Sequence, residues 1–396
     1  VSARYDVVVA GARVAGASTA LLLARAGLRV ALVDRVARGT DTVSTHALMR
    51  AGVTQLSRWG VLPAVRGAGT PPVHRVLFHY PWDSVRLAIR PSPGVDALYA
   101  PRRTVLDPIL LDAAATAGAE VLERVAVVGV TGDGTRVTGV RLRGRDGTEH
   151  EVRATLTVGA DGIRSTVAAA VGAPVERVGT HGGAVLYAYR ADLPTEGYEW
   201  AYGPGVAAGM IPTNEDLTCV FAGGAPDLIR AARREGADAA LRALFAAAAP
   251  DHAPRLEASV AVGGLHGWAG LPGFVRRSWG AGWALVGDAG YFKDPITTHG
   301  MTDALRDAEL LADAVVAGLS GAEPEAAALA GYQHRRDDLS QRLFEVTDRI
   351  ASFTWPLDDV PGLLREASAA MTQEVEYLQA LDSRGGTGPT APGPVP

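Results

Sequence analysis

Residues 5–10, Tyr5-Asp-Val-Val-Val-Ala10, form a short apolar run that leads into a Gly-containing turn and then an Ala- and Leu-rich stretch, residues 14–26, closed by Gly27. The run has the character of a buried parallel strand, and the stretch reads as a helix ended by glycine. A second apolar run, residues 29–34, ends on an acid, Asp34. The pattern next predicts a helix over 44–59, capped near Ser44 or Thr45, with Leu48, Leu56 and Trp59 on one face. Alternating strands at 73–80 and 84–90 flank Pro81-Trp-Asp83 as a hairpin, and a third extended segment follows at 97–100. A helix over 103–117 and a strand over 119–122 come after it. Strands at 125–130, 136–142 and 149–152, joined by Gly132-Asp-Gly134 and Asp146-Gly147, predict a three-stranded meander. The apolar run 155–158 then returns to the parallel sheet.

Between 180 and 224 the strands change character and carry the aromatics Tyr187, Tyr189, Trp200, Tyr202 and Phe221. This predicts an antiparallel sheet, joined by the 73–97 hairpin, with an Ala-rich helix over 225–249 on its outside. A last core strand is expected at 285–287, followed by helices over 301–319, 332–350 and 360–381. The Gly/Pro/Thr tail 385–396 has nothing to pack and is expected to be disordered.

Composition narrows the classes. A chain of 396 residues can bury a large core and hold two linked domains with a C-terminal extension. A net charge of −5 with no Lys/Arg-rich run gives no footprint for nucleic acid. The one cysteine, Cys219, excludes an intramolecular disulfide and a Cys-based metal cluster, and no metal site is expected. Its strand setting, Leu217-Thr-Cys-Val-Phe221, suits a buried thiol rather than a nucleophile. No stretch reaches transmembrane length, so stable membrane insertion is not expected, and the start on a strand makes the cytoplasm the expected compartment. Lys293 is the only lysine, so any chemistry that needs one is confined to it.

The Gly turn has a physical purpose of its own. Gly11 allows the tight bend, and Gly16 lets the helix lie close to the strand. A pyrophosphate at Gly11, Ala12, Arg13 and Ala15 would meet free N–H groups and the helix dipole. Asp34 falls about twenty residues further on, where a carboxylate can accept from both ribose hydroxyls, with Arg35 beside it. Asp288 stands at the carboxyl end of another strand, the edge at which open α/β sheets bind ligands.

Three segments, Val9-Ala-Gly-Ala-Arg-Val-Ala-Gly16, Gly159-Ala-Asp-Gly-Ile-Arg-Ser165 and Leu285-Val-Gly-Asp-Ala-Gly290, occur in this order and at these separations. Together they resemble the flavoprotein monooxygenases of the para-hydroxybenzoate hydroxylase type, and the flavoenzymes of the geranylgeranyl reductase kind share the pattern. The resemblance spans residues 4–320. It implies an α/β fold: a Rossmann-like FAD-binding domain from residues 1–72, 98–180 and 265–330, with parallel sheet and meander. An antiparallel-sheet substrate domain from 73–97 and 181–264, C-terminal helices over 331–382 and a tail at 383–396 complete it.

The resemblance also implies roles. Asp288, beside Gly287, would hydrogen-bond the ribityl chain of non-covalent FAD, or else cap a helix. Arg103 would reach the pyrophosphate, Val127 would offer backbone groups to the adenine, and Asp161 with Gly162 would help to arrange FAD and an approaching nicotinamide. Lys293-Asp-Pro295-Ile-Thr-Thr-His299-Gly300-Met301 would pass the pyrimidine end of the flavin, and Thr45 and His46 lie in the loop along its face. Free N–H groups at the helix start there would stabilise the anion of reduced flavin. His299 could bond flavin or substrate, or cap the helix; His46 is either a polar group of the active site or a surface histidine. Tyr187, Tyr189, Trp200 and Met210 are the candidate substrate-facing residues. The chain departs from the pattern at Arg13, where the family has glycine, and at Ala168, where it has arginine. Arg13 either folds over the cofactor or points to solvent.

With no second Gly-rich βαβ unit, NAD(P)H would bind only transiently as reductant. O2 would then hydroxylate or epoxidise an apolar or aromatic small molecule, of the kind found in secondary metabolism. A separate reductase partner is another electron source. A geranylgeranyl-reductase-like enzyme that saturates C=C bonds is the alternative, and a non-redox flavin-binding cyclase or binding protein is one of another class. A flavin-dependent halogenase would need a Trp-x-Trp-x-Ile-Pro motif, which Trp268-Ala-Gly-Leu-Pro272 does not match.

Overall fold

The computed structural model describes residues 4–384. Its first sheet is built on Arg4–Ala10, whose valines are fully buried. Val30–Asp34 pairs in parallel on one side of it and Glu149–Gly159 on the other. Glu120–Glu123 and Trp283–Leu285 extend the parallel order outward. Helix Val14–Arg25 packs beside this sheet and against helix Gly300–Ser320. The bend between the first strand and helix needs glycine: Gly11 has φ +99°, and a Cβ at Gly16 would lie 1.8 Å from the Gly11 carbonyl oxygen. The α/β class and the meander are as the hydrophobic pattern predicts. Ala126–Gly132, Val137–Arg143 and the first part of Glu149–Gly159 make that meander. The expected strands at 149–152 and 155–158 are therefore one continuous strand serving both structures.

The second sheet has seven strands in the order Val260–Trp268, Ala184–Ala191, Thr218–Gly224, Val206–Pro212, Tyr198–Gly203, Arg75–Tyr80, Asp83–Ala88. The hairpin joins it as expected, but through a parallel pairing of Arg75–Tyr80 with Tyr198–Gly203. The boundary expected at residue 264 falls inside the strand Val260–Trp268. One face of this sheet turns toward the main core and the other packs Met210, Val206 and Val220 under Leu241 and Phe245.

Several helices differ from expectation for local reasons. The helix expected over 44–59 begins only at Arg50, because His46 has φ +70° and Leu48 bridges to Tyr99. The single helix expected over 225–249 is broken at Gly236, φ +104°, into Pro226–Ala232 and Ala237–Ala248. The last core strand ends at Leu285, with a turn at Gly287–Ala289. The C-terminal helices are Glu325–Ile350 and Val360–Arg384, the latter running past the expected end at 381–382. The tail expected over 385–396 lies outside the described residues. No helix among the described residues is long and apolar enough to cross a membrane.

Candidate active site

Helix Val14–Arg25 starts behind Arg13 with no side-chain cap and no acid in its first turn. Its first N–H groups are therefore donors for an anion. Asp34 is fixed beside them, its two carboxylate oxygens accepting from the N–H of Ala12 at 2.7 Å and of Val36 at 3.0 Å. Gly287, φ +58°, brings the third motif against the first, since a Cβ there would lie 2.9 Å from Cβ of the half-buried Ala15. Arg35 is exposed beyond Asp34. Val127 is half-buried and packs against two of the smaller apolar clusters, one shared by the meander and the parallel sheet and one around Val167 and Leu285.

Arg13 is half-buried and bonded to the protein rather than pointing freely to solvent. Its Nη1 donates to Asp107 at 3.1 Å and its Nη2 to the Asp41 carbonyl at 3.3 Å. Arg103 grips the same Asp107 through Nε at 2.8 Å and Nη2 at 3.0 Å. Two guanidinium groups thus share one carboxylate, which leaves a surplus positive charge close to the uncapped helix start. Arg13→Glu would set two like charges together and is expected to lower FAD affinity more than tenfold, about 1.4 kcal/mol or above. Arg13→Gly, which loses one half-exposed pair, should cost under about 1 kcal/mol. Fluorescence titration of apoprotein with FAD reads both, and equal affinities would show that Arg13 has no part in binding.

Asp161 has a structural occupation. Its carboxylate accepts from Ser165 Oγ at 2.5 Å and from the N–H groups of Thr166 at 2.7 Å and Val167 at 3.2 Å, at the start of helix Thr166–Ala170. The motif holds a chain reversal in place, with Gly162 at φ +79°. A Cβ at Gly11 would meet the Ala160 carbonyl at 2.4 Å, so the second motif also packs directly on the first.

Asp288 lies at the end of Trp283–Leu285, half-buried, and no hydrogen bond from another described residue reaches its carboxylate. Burial pushes it up to about 6, with Lys293 and Arg103 pulling the other way. An acceptor at a strand end without a protein donor fits the hydroxyls of a ribityl chain. Downstream, Asp294 caps the turn Pro295–Thr297, and Thr298 adopts φ +49°. Helix Gly300–Ser320 then starts with no side-chain cap, Gly300 exposed and Met301 half-buried. Its free N–H groups suit the pyrimidine edge of a flavin.

His299 sits at that helix start but its Nε2 turns to Glu374 Oε2 at 2.6 Å, on the last helix. Glu374 also meets Arg306 at 3.2 Å, and Arg306 reaches Asp303 at 3.0 Å, Asp307 at 2.6 Å and Ser340 at 2.9 Å. Lys293 pairs with Asp303. Burial lowers His299 below its usual range and brings Lys293 down to about 7. No local spacing pointed to Glu374, which stands 75 positions beyond its partner. His299, Asp303 and Glu374 place ligand atoms within 4.8 Å of one another, as do His79, Glu199 and His252. In both groups arginine already meets the carboxylates.

His46 is buried rather than a surface histidine. Its Nε2 lies 2.5 Å from the Tyr189 hydroxyl, and burial, aided by Arg103 and Arg102, brings it down to about 3, so the ring is neutral. Its Nδ1 has no protein partner. That orphaned polar atom, the glycine-cleared bend and the donor-free Asp288 together fit FAD. Thr45 is half-buried beside it, and the Ser44 N–H donates to the Tyr187 hydroxyl at 3.1 Å. Tyr187 and Tyr189 thus hold the 44–46 loop. Tyr189→Phe would leave the buried His46 ring without its bond and is expected to destabilise the fold by about 1–3 kcal/mol, read as a lower urea midpoint.

Trp200 does line a cavity, of about 400 Å³, with Tyr198, Tyr202, Phe78, Thr298 and His299. Met210 does not. It pairs across strands with Glu199, one position off Trp200, so it projects to the opposite face and packs in the second core. Tyr187 and Tyr189 lie outside the cavity wall.

The parallel sheet, the glycine bend, Asp34 and the Asp288 strand end define an FAD-dependent oxidoreductase, an enzyme. Residues 4–347 match the family model described as "FAD binding domain", and the chain belongs to that family. Digeranylgeranylglycerophospholipid reductase 2 of Methanopyrus kandleri is 28% identical over 86% of this chain and 84% of its own length. Among solved structures, the myxobacterial chondrochloren halogenase, an FAD-dependent halogenase, superposes with a TM-score of 0.78 at 25% identity, covering 87% of this chain and 82% of that one. A probable FAD-dependent monooxygenase from Pseudomonas aeruginosa has the same fold, with a TM-score of 0.77 at 23% identity, over 92% of this chain and all of that one.

Proposed function

We propose that the protein is a monooxygenase that takes electrons from NAD(P)H and oxygen from O2 to hydroxylate or epoxidise a compact apolar or aromatic molecule. The cavity walled by Phe78, Tyr198, Trp200 and Tyr202 carries this reading. Its volume of about 400 Å³ falls in the range of small-molecule pockets. FAD, when bound, supplies the redox chemistry. In this reading Gly11, Gly16 and the first turn behind Arg13 hold its pyrophosphate and Asp34 its ribose. Asp288 binds its ribityl chain, and the start of Gly300–Ser320 faces its pyrimidine edge. The apolar wall excludes water, and the neutral His46 ring offers Nδ1 without adding charge.

The match to the Methanopyrus reductase favours a second reading, saturation of a C=C bond by the same flavin site. Products formed under isotopically labelled O2 separate the two. A monooxygenase needs substrate to accelerate NAD(P)H oxidation and leaves one labelled oxygen in the product. A reductase yields an unlabelled product with two added hydrogens and works without O2. A protein that takes up FAD but is reduced by neither nicotinamide nor a partner reductase would sink the first reading and leave a non-redox binder.

A further inference from the structure

Among the residues lining the cavity, Arg50 is the one that carries a cationic side chain. It stands in the first turn of Arg50–Arg58, where a positive charge opposes the helix dipole, so helix stability does not account for its place. Its guanidinium is fixed to the neighbouring loop, Nη1 donating to Ser92 Oγ at 3.0 Å and Nη2 to the Arg90 carbonyl at 2.7 Å. Both partners are neutral. By contrast, Arg13, Arg103, Arg136, Arg190, Arg306 and Arg336 each meet a carboxylate. Burial lowers Arg50 from its usual range and no acid offsets it. The cavity wall around it is largely apolar, with Val76, Leu87, Ile89 and Leu98 from the hairpin region and Met371 and Val375 from the last helix. Arg50 is a half-buried cavity-lining residue whose guanidinium is aligned by neutral partners on the adjoining loop and has no counter-charge, a suitable receptor for an anion presented by an apolar body at the cavity edge.

We infer that the substrate is an anionic amphiphile, whose carboxylate or phosphate is received by Arg50 while its apolar part fills the cavity. This rests on reading the cavity as the substrate site. Arg50 is then a specificity-determining residue, and neutral analogues of the substrate bind in the same place more weakly.

The test is calorimetric titration of the FAD-loaded protein with three probes that share one body: phenylbutyrate, phenylbutyl phosphate and phenylbutanol. At least one acid should bind about tenfold tighter than the alcohol or more, and which acid wins distinguishes carboxylate from phosphate. Arg50→Gln should bring the acids to the level of the alcohol and leave the alcohol's affinity in place. Arg50→Lys should restore part of the preference. FAD content and unfolding midpoint, measured on each variant, show that the site is intact. Equal binding of acid and alcohol to the wild type, a preference that survives Arg50→Gln, or no binding by any of the three would each overturn the inference. None of these outcomes touches the flavoenzyme assignment, which is tested by the FAD content and isotope-labelled products instead.

Discussion

Asp288→Ala is expected to be purified largely colourless, with FAD lost on gel filtration under conditions in which the wild type keeps it. The carboxylate stands in the turn Gly287–Ala289 just beyond the strand Trp283–Leu285, is half-buried, and has no protein donor among the described residues. Its bonds to a ribityl hydroxyl would be charge-assisted, worth about 1.5–3 kcal/mol, or roughly tenfold to over a hundredfold in affinity. The pH dependence follows from its being raised to about 6 by burial. Above that value the group is an anionic acceptor; as pH falls through about 6 it protonates, and FAD affinity should weaken in the wild type. Asp288→Asn should flatten that profile. For the cofactor-free protein the sign is opposite. A carboxyl raised by folding favours the protonated form, so stability declines as pH rises from the ordinary carboxylate range through about 6. Asp288→Asn should remove that decline. Full FAD retention by the alanine variant, measured by absorbance after gel filtration, would remove Asp288 from the site.

What was legible in the sequence is what local spacing encodes. The apolar run, Gly11, Gly16 and Asp34 lie within thirty residues, and backbone sterics and strand length bring them together without help from the rest of the chain. The aromatic strands were legible as a sheet, but not which face each side chain takes. Met210 is apolar and one register position from Trp200, so composition alone cannot tell the two faces apart. Asp161 was legible as a motif, while its use as a helix cap depends on Ser165, Thr166 and Val167 folding back onto it. His299 was read against its immediate neighbours; its partner arrives on the last helix, set by tertiary packing. Arg50 passed unnoticed inside an expected helix. Its significance lies in the lack of an acid around it, and that is visible only once the fold is assembled.

Arg306→Met should be the most destabilising single change in the C-terminal half, at about 3–5 kcal/mol. Arg306 is 1% exposed and lies among Asp303, Asp307 and Glu374, all buried. Methionine fills much of the same volume, so the loss reads the charges rather than a cavity. Lys293 still pairs with Asp303 and His299 still meets Glu374 in the variant, but Asp307 loses its guanidinium and Glu374 one of its two charged partners. Acid should narrow the difference. Burial pushes Glu374 upward, yet His299 and Arg306 outweigh it and hold the carboxyl at about 2. A group lowered by folding contributes stability that is fully present above its unfolded value, about 4.3, and is lost as pH falls toward about 2. The gap in urea midpoint between wild type and Arg306→Met should therefore be widest near neutrality and shrink below about pH 4. Arg306→Lys, which keeps the charge but not the fork of donors, should fall between them. Arg306 is one of the charges that lower His299, while Glu374 raises it, so removing the guanidinium should move the His299 proton resonances toward an ordinary histidine titration. A methionine variant with the wild-type urea midpoint at neutral pH would show that the carboxylates find other compensation and that the network does not hold the last helix in place.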